Sequence, residues 1–247
     1  MKKLLFILLC VPFFAEAQVP IPGLSGKNIF KLNVSSLVAK NFHITYERKL
    51  AGRVSASLGF RTMGKSTIPF QGTVENLLEG TDFNFNAFKM GNTAFTPEVR
   101  LYLGKGNLKG FYVAPYMRFA SFDLTAPLKY SYTAGGTTTT TEAPLSGKIT
   151  STSGGIMFGT QHTLFKVLTL DIWIIGGHYG SSKGTLSVNK SFPTAEERNA
   201  LKAELDGIEA SPFKFKNATV TSTGASIQSD GPWAGFRGLG INLGFRF

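Results

Sequence analysis

The closing stretch of the chain constrains the fold more than any other. Leu239, Ile241, Leu243, Phe245 and Phe247 recur at every second residue, and Gly238, Gly240, Asn242, Gly244 and Arg246 fill the places between them. A period of two is that of an extended strand whose side chains alternate between two faces. In a soluble sandwich the large residues turn into a core and polar ones meet water. Here the opposite face is small or polar, as the narrow lumen of a barrel with lipid outside requires.

Seven further segments carry the same alternation. Phe30, Leu32 and Val34 alternate with Lys31, Asn33 and Ser35; Phe42, Ile44 and Tyr46 with His43, Thr45 and Glu47. Val54, Ala56, Leu58 and Phe60 alternate with Ser55, Ser57, Gly59 and Arg61; Val99, Leu101 and Leu103 with Glu98, Arg100 and Tyr102. Phe111, Val113, Met117 and Phe119 alternate with Tyr112, Ala114, Tyr116 and Arg118. Ile156 and Phe158 alternate with Gly155, Met157, Gly159 and Gln161, and Leu168, Leu170, Ile172 and Ile174 with Thr169, Asp171 and Trp173. The last of these is apolar on both faces near Trp173.

The connections test the strand count independently, because outer-membrane barrels have short periplasmic turns and long extracellular loops. With both termini periplasmic, the second, fourth and sixth connections must be short, and Lys49 to Gly52, Gly104 to Lys109 and His162 to Lys166 are. The third, fifth and seventh must be long, and they run from about Gly64 to Ala94, Leu124 to Ser146 and Gly180 to Ala234. The first, Val38 to Asn41, is short on the outer side. The expected fold is all-β: an eight-stranded antiparallel up-and-down transmembrane β-barrel with long extracellular loops and a short loop helix.

The N-terminus agrees. Lys2 and Lys3 precede an apolar run, Leu4 to Phe14, and the small-x-small triplet Ala15-Glu16-Ala17. That run is too short for a bilayer-spanning helix, which needs about 20 residues, and it reads as a signal peptide over 1–17 cleaved before Gln18. Residues 18–247 then form the barrel domain in the bacterial outer membrane. Leu8-Leu9-Cys10 loosely resembles a lipoprotein signal, but Cys10 lies inside the apolar run and too close to the lysines. No cysteine follows Gln18, which excludes disulfides, thiol catalysis and cysteine metal sites there. No later stretch suits a transmembrane helix, so an integral protein of this sequence must be a closed barrel. Without Lys2, Lys3 and Glu16 the chain keeps 24 of its 26 basic and 14 of its 15 acidic residues, a net charge of +10. For an exported chain the partners implied are outer-membrane lipids and lipopolysaccharide rather than nucleic acid.

Within the loops, Thr137 to Thr141 beside Gly135-Gly136 reads as a mobile, low-complexity loop tip. Thr194 with Glu197 makes a capping box, and Leu201, Leu205 and Ile208 form one stripe, so a helix is expected over 194–208. The stripe suits a cap packed on the loop's own base; a helix that binds a partner outside the cell is the sharper alternative. A shorter helical turn is expected near Val74 to Leu78. Lys65, Lys89, Lys129, Lys183, Lys190, Lys214 and Lys216 offer the loops either phosphate-binding charge or a plain solvated face.

The candidate functional residues are the inward charges Lys31, Glu47, Arg61, Glu98, Arg100, Arg118, Asp171 and Arg246. Neighbouring strands pair Lys31 with Glu47, Glu98 with Arg61 and Arg100, and Asp171 with Arg246. Buried charges are tolerable only in pairs, and a barrel of eight strands is just wide enough to be filled by side chains. They therefore read as an ionic plug, with a gated ion path or polar ligand site as the alternative. Catalysis is not expected. Of the three histidines, His43 points inward, His162 falls in a periplasmic turn and His178 has outward parity, so no Ser-His-acid set converges. No cluster has metal-ligand spacing and no cofactor is expected. Phe95, Phe111, Phe119, Phe236, Phe247 and Tyr46 fall near strand ends, where aromatic residues anchor at membrane interfaces.

Lys31-Leu32-Asn33, Tyr46-Glu47-Arg48-Lys49-Leu50 and Gly240-Ile241-Asn242-Leu243-Gly244-Phe245-Arg246-Phe247 resemble the early, second and closing strands of small eight-stranded outer-membrane β-barrel proteins of Bacteroidota. The resemblance covers the strands and omits the long loops. It implies fold and location without a defined activity. The closing Phe245 and Phe247 also look like the signal read by barrel-insertion machinery, a transient partner. The expected role is structural or surface-interacting, with a narrow channel or carrier for small solutes as the alternative and a lipid-modifying enzyme behind that.

Overall fold

In the computed structural model, residues 26–67, 88–104, 108–165, 167–208 and 212–247 are described. They form β1 (Asn28–Asn33), α1 (Val34–Val38), β2 (Phe42–Ala51), β3 (Val54–Thr67), β4 (Lys89–Tyr102), β5 (Gly110–Ala134), β6 (Thr137–Leu164), β7 (Leu168–Val188), α2 (Ala195–Asp206), β8 (Lys214–Val220) and β9 (Ala225–Arg246). All pairings are antiparallel. Strands β1 to β7 follow in sequence order, β9 joins β7, and β9 pairs back onto β1. Eight strands thus close a ring. The ninth, β8, pairs with the first residues of β9 on the side away from β7.

The ring has one end where the termini meet: Asn28 and Phe247 exchange backbone hydrogen bonds of 2.9 and 2.8 Å. At this terminal end β2 is followed by β3, β4 by β5 and β6 by β7. The distal end is uneven, because β1 has 6 residues and β2 has 10, against 25 in β5 and 28 in β6. Asn33 ends β1 early. Its side chain accepts the backbone N–H of Ser36 at 2.8 Å and caps the short α1, a local bond that Asn offers in place of the sheet ladder. The expected continuation of the first strand through Val34 and Ser35 is therefore replaced by a helical turn.

Two expected loops are largely strand. Leu124 to Ser146 continues β5 and β6 as one hairpin, closed by Gly135 and Gly136 at φ 58° and 80°. Two positive-φ residues are what a two-residue type I′ turn needs, and glycine adopts them without a Cβ clash. The threonine run is not a loose tip. Thr137–Thr141 pairs with Tyr130–Ala134, with Thr138 and Thr140 hydroxyls bonded to Thr133 and Ser131, as suits a β-branched residue. Gly180 to Ala234 contains the end of β7, α2, β8 and the start of β9. In the third connection, β3 runs on to Thr67 and β4 begins at Lys89. The turn expected near Val74 to Leu78 lies outside the described residues, as does the leader.

Polarity inverts along the ring. From the terminal end to about Phe119 on β5 and Phe236 on β9, the large apolar residues face out: Phe30, Leu58, Phe60, Leu101, Phe111, Phe119, Phe158, Ile241 and Leu243 are all exposed. Lys31, Glu47, Arg100 and Asp171 face in. Further on, the outward positions become Asp123, Lys148, Thr150, Lys183, Gln228 and Asp230, while Leu145, Ile149, Leu186 and Ile227 turn inward. Those inward residues build a second core with Tyr130, Val188, Phe192, Leu201, Leu205 and Ala225. The helix α2 closes that core with its Leu201 and Leu205 stripe and Ile208 beside it, the self-contained cap of the two readings.

Only half of the capping box forms. Thr194 accepts the Glu197 N–H at 3.2 Å, but the Glu197 carboxylate turns away from the Thr194 backbone to accept the buried Tyr130 hydroxyl at 2.9 Å. Burial and that carboxylate push the Tyr130 phenol well above its ordinary range.

Candidate functional site in the ring interior

The terminal half of the interior is a packed ionic network. Lys31 on β1 uses its three ammonium hydrogens on Glu47 (2.5 Å), Asp171 (2.7 Å) and the Gln161 amide oxygen. Arg100 on β4 bonds Asp171 at 2.7 Å, Glu47 at 3.3 Å and Glu98 through Nε at 2.6 Å. Neutral donors complete the carboxylates: Ser55 and Tyr102 give hydroxyl hydrogens to Glu47 at 2.5 and 2.6 Å, and Tyr112 gives one to Asp171 at 2.7 Å. Gln161 is held by donating to the Leu108 carbonyl at 2.7 Å. Lys31, Glu47, Arg100 and Asp171 have no exposed side-chain surface, so at this level the interior is filled.

Arg237 on β9 extends the network. It bonds Glu98 at 3.1 Å, and its guanidinium lies 4.6 Å from the ring centres of both Tyr116 and Trp173. Lys31, Arg100 and Arg237 thus face Glu47, Glu98 and Asp171, three charges of each sign. Desolvation is offset only because every charge has a partner; removing one member of a buried pair costs about 3–5 kcal/mol.

The expected partnerships hold in part. Lys31 meets Glu47, and Glu98 meets Arg100. Glu98 does not meet Arg61, because Arg61 Nε donates instead to Asn41 Oδ1 at 2.8 Å and Arg237 takes its place. Asp171 does not meet Arg246. It lies deeper in the ring with Lys31 and Arg100, whereas Arg246 at the terminal rim donates to the Gly26 carbonyl at 2.7 Å and reaches Thr163 at 3.4 Å. Arg118 is buried but has no ion pair among the described residues. Phe245 and Phe247 stack beside one another, centroids 6.3 Å apart.

Two backbone irregularities explain what the alternation missed. In β7 the pairing with β6 slips between Phe158 and Gly159, so that Ile174 and Ile175 both face out. In β9 Leu239 adopts φ 52°, and Gly238 and Leu239 both face out. Each bulge flips the parity of everything beyond it. Arg237, outward by simple counting, turns inward. So does His178, whose ring sits 6.2 Å from that of Tyr116, correcting its outward assignment. His43 is inward as expected, 5.1 Å from Trp173. His162 lies within β6, exposed, rather than in the turn after it. The glycines in adjacent strands, and the φ of a non-glycine Leu239, give no sequence signal for these slips.

A cavity of about 280 Å³ lies on the distal side of the network. His43, Arg61, Arg118, Trp173 and Arg237 line it from the ring, Ser35 and Ser36 from α1, and Ala39 from the cap that ends α1. Compared with protein-family models, curated proteins and solved structures, the chain matches none.

Proposed function

We propose that the chain is an integral outer-membrane β-barrel, exported by the leader over 1–17, with a closed lumen and a structural or surface-interaction role. The polarity inversion carries this reading. Apolar residues face out along the terminal part of the ring and inward beyond it, the pattern expected of a wall with lipid around one part and water around the other. On β9 the apolar outer band from Phe236 to Phe245 covers about 30 Å of strand at 3.3–3.4 Å per residue. At a tilt of about 40° that is a band about 23 Å tall, close to the ~25 Å of outer-membrane barrels.

The filled layer around Arg100 supports a sealed lumen over a channel, and no catalytic role is proposed. The resemblance to small Bacteroidota barrels and the stacked Phe245 and Phe247 at the terminal rim support insertion by the barrel machinery. The exposed Lys148, Lys183 and Lys214 of the distal extension suit contact with lipopolysaccharide phosphates, and the capped hairpin offers a surface to partners outside the cell.

Reconstitution tests both parts. The protein is expected to float with vesicles after an alkaline wash, and dye release is expected to stay at the level of empty vesicles. Protein left in the wash defeats the membrane reading; dye release defeats the sealed lumen.

A further inference from the structure

The cavity beyond the network differs from everything around it in its charge. Three arginines and His43 line it, and no aspartate or glutamate does. Only Arg237 reaches a carboxylate, Glu98, which it shares with Arg100. Arg118 is 6% exposed and has neither hydrogen bond nor ion pair among the described residues. The buried Trp173 Nε1–H, on the same cavity, has no acceptor among them either. Uncompensated buried cations call for an anion, and planar guanidinium forks match phosphate or carboxylate oxygens.

The cavity opens sideways. Since β1 stops at Asn33, the β9 edge facing β1 has no strand partner from 231 to 241 among the described residues. The helical turn α1 seats there instead, with Ser35 Oγ accepting the Ile241 N–H at 3.0 Å. Phe236 and Leu239, which line the mouth, are 89% and 87% exposed on the apolar outer face. At about 280 Å³ the space falls just under the roughly 300–1,000 Å³ of sites that enclose a whole drug-sized ligand, so it suits a headgroup whose tail stays outside.

We propose that this cavity binds the phosphate of an anionic amphiphile that enters laterally between α1 and β9, leaving its alkyl chains beside Phe236 and Leu239. The bulge at Leu239 serves the site twice, turning Arg237 inward and Leu239 outward. The alkyl half of this proposal rests on the membrane reading; the phosphate half rests on the cavity alone.

The test uses the protein from Gln18 to Phe247 in neutral maltoside micelles, with Trp233→Phe so that Trp173 reports alone. Dodecyl phosphate is expected to give a saturable fluorescence change, and dodecylphosphocholine at the same mole fraction none. Inorganic phosphate is expected to need at least a hundredfold higher concentration. Arg61→Gln with Arg118→Gln is expected to weaken dodecyl phosphate at least tenfold, Arg118→Lys to restore much of it in the Arg61→Gln background, and Lys109→Gln with Lys202→Gln, both exposed and outside the cavity, to change nothing. Equal response to the phosphocholine, an unchanged response in the arginine variant, or equal loss in the lysine variant overturns the site. Inorganic phosphate binding as tightly as dodecyl phosphate overturns the amphiphile and leaves a free-anion site. Heat-modifiable gel mobility confirms that each variant is folded. A chain that fails to enter vesicles but keeps the arginine-dependent response in micelles defeats the membrane reading and not the phosphate site.

Discussion

At the terminal end of the ring, Lys31, Arg100 and Arg237 face Glu47, Glu98 and Asp171, and hydroxyls from Ser55, Tyr102 and Tyr112 complete the carboxylates. A few residues along the same strands, Arg61 and Arg118 line a cavity with no carboxylate at all. Both regions are held by the same wall, so the difference lies in the pairing of charge rather than in the scaffold. A matched network is a filling that rigidifies the ring. An unmatched pair of arginines is destabilising until something else supplies the negative charge.

The largest expected effect comes from breaking the matched side. Asp171→Asn leaves Lys31 and Arg100 sharing Glu47, and is expected to destabilise the ring by about 3–5 kcal/mol, read as a lowered urea midpoint in detergent. Removing both members of a pair, Lys31→Met with Glu47→Gln, is expected to cost less than Glu47→Gln alone; a larger cost would mean that the network is not acting as paired charge. On the unmatched side the sign reverses. Arg118→Gln removes a buried cation without a partner and is expected to raise the midpoint by about 1–2 kcal/mol in neutral detergent. A loss as large as that of Asp171→Asn would erase the distinction between the two regions.

Smaller effects are expected beyond the ring. Gly136→Ala places a Cβ at φ 80° and is expected to weaken the hairpin extension by about 1–2 kcal/mol, seen as faster amide exchange over 125–146 with the ring protected. Tyr130→Phe loses the bond to Glu197 and is expected to loosen α2 by about 1 kcal/mol, seen in proteolysis around 189–212. The raised pKa of Tyr130 gives that bond a pH signature. The folded state favours the neutral phenol, so the contribution is complete below the unfolded phenol's pKa of about 10 and fades as pH rises past it. Docking of α2 is therefore expected to be flat from pH 5 to 9, to loosen in stronger alkali, and to lose that dependence in Tyr130→Phe.

The alternation exposed the ring because its outward-facing and inward-facing positions differ so sharply in size and polarity. Lys31, Glu47, Glu98, Arg100 and Asp171 were legible for that reason, and Lys31–Glu47 and Glu98–Arg100 as neighbours. Arg237 and His178 were not, since one slipped residue at Ile174 and one left-handed residue at Leu239 reverse the count beyond them. The hairpin extension was hidden differently. Its outward face is polar and its inward face lines a small core, so the pattern that marks the ring turns over there, and Gly, Pro and Thr suggested loops. The place of Asp171 beside Lys31 and Arg100 depends on how far each strand is displaced along its neighbour, which parity alone does not give.

The position of the polarity inversion is the most direct measurement. With no cysteine after Gln18, single cysteines at Phe119 and Lys148, both outward and on either side of the inversion, can carry spin labels in vesicles. A membrane-spanning ring predicts that oxygen relaxes the Phe119→Cys label far more than a water-soluble nickel chelate does, with the reverse at Lys148→Cys. Equal access of the nickel chelate to both positions would contradict it.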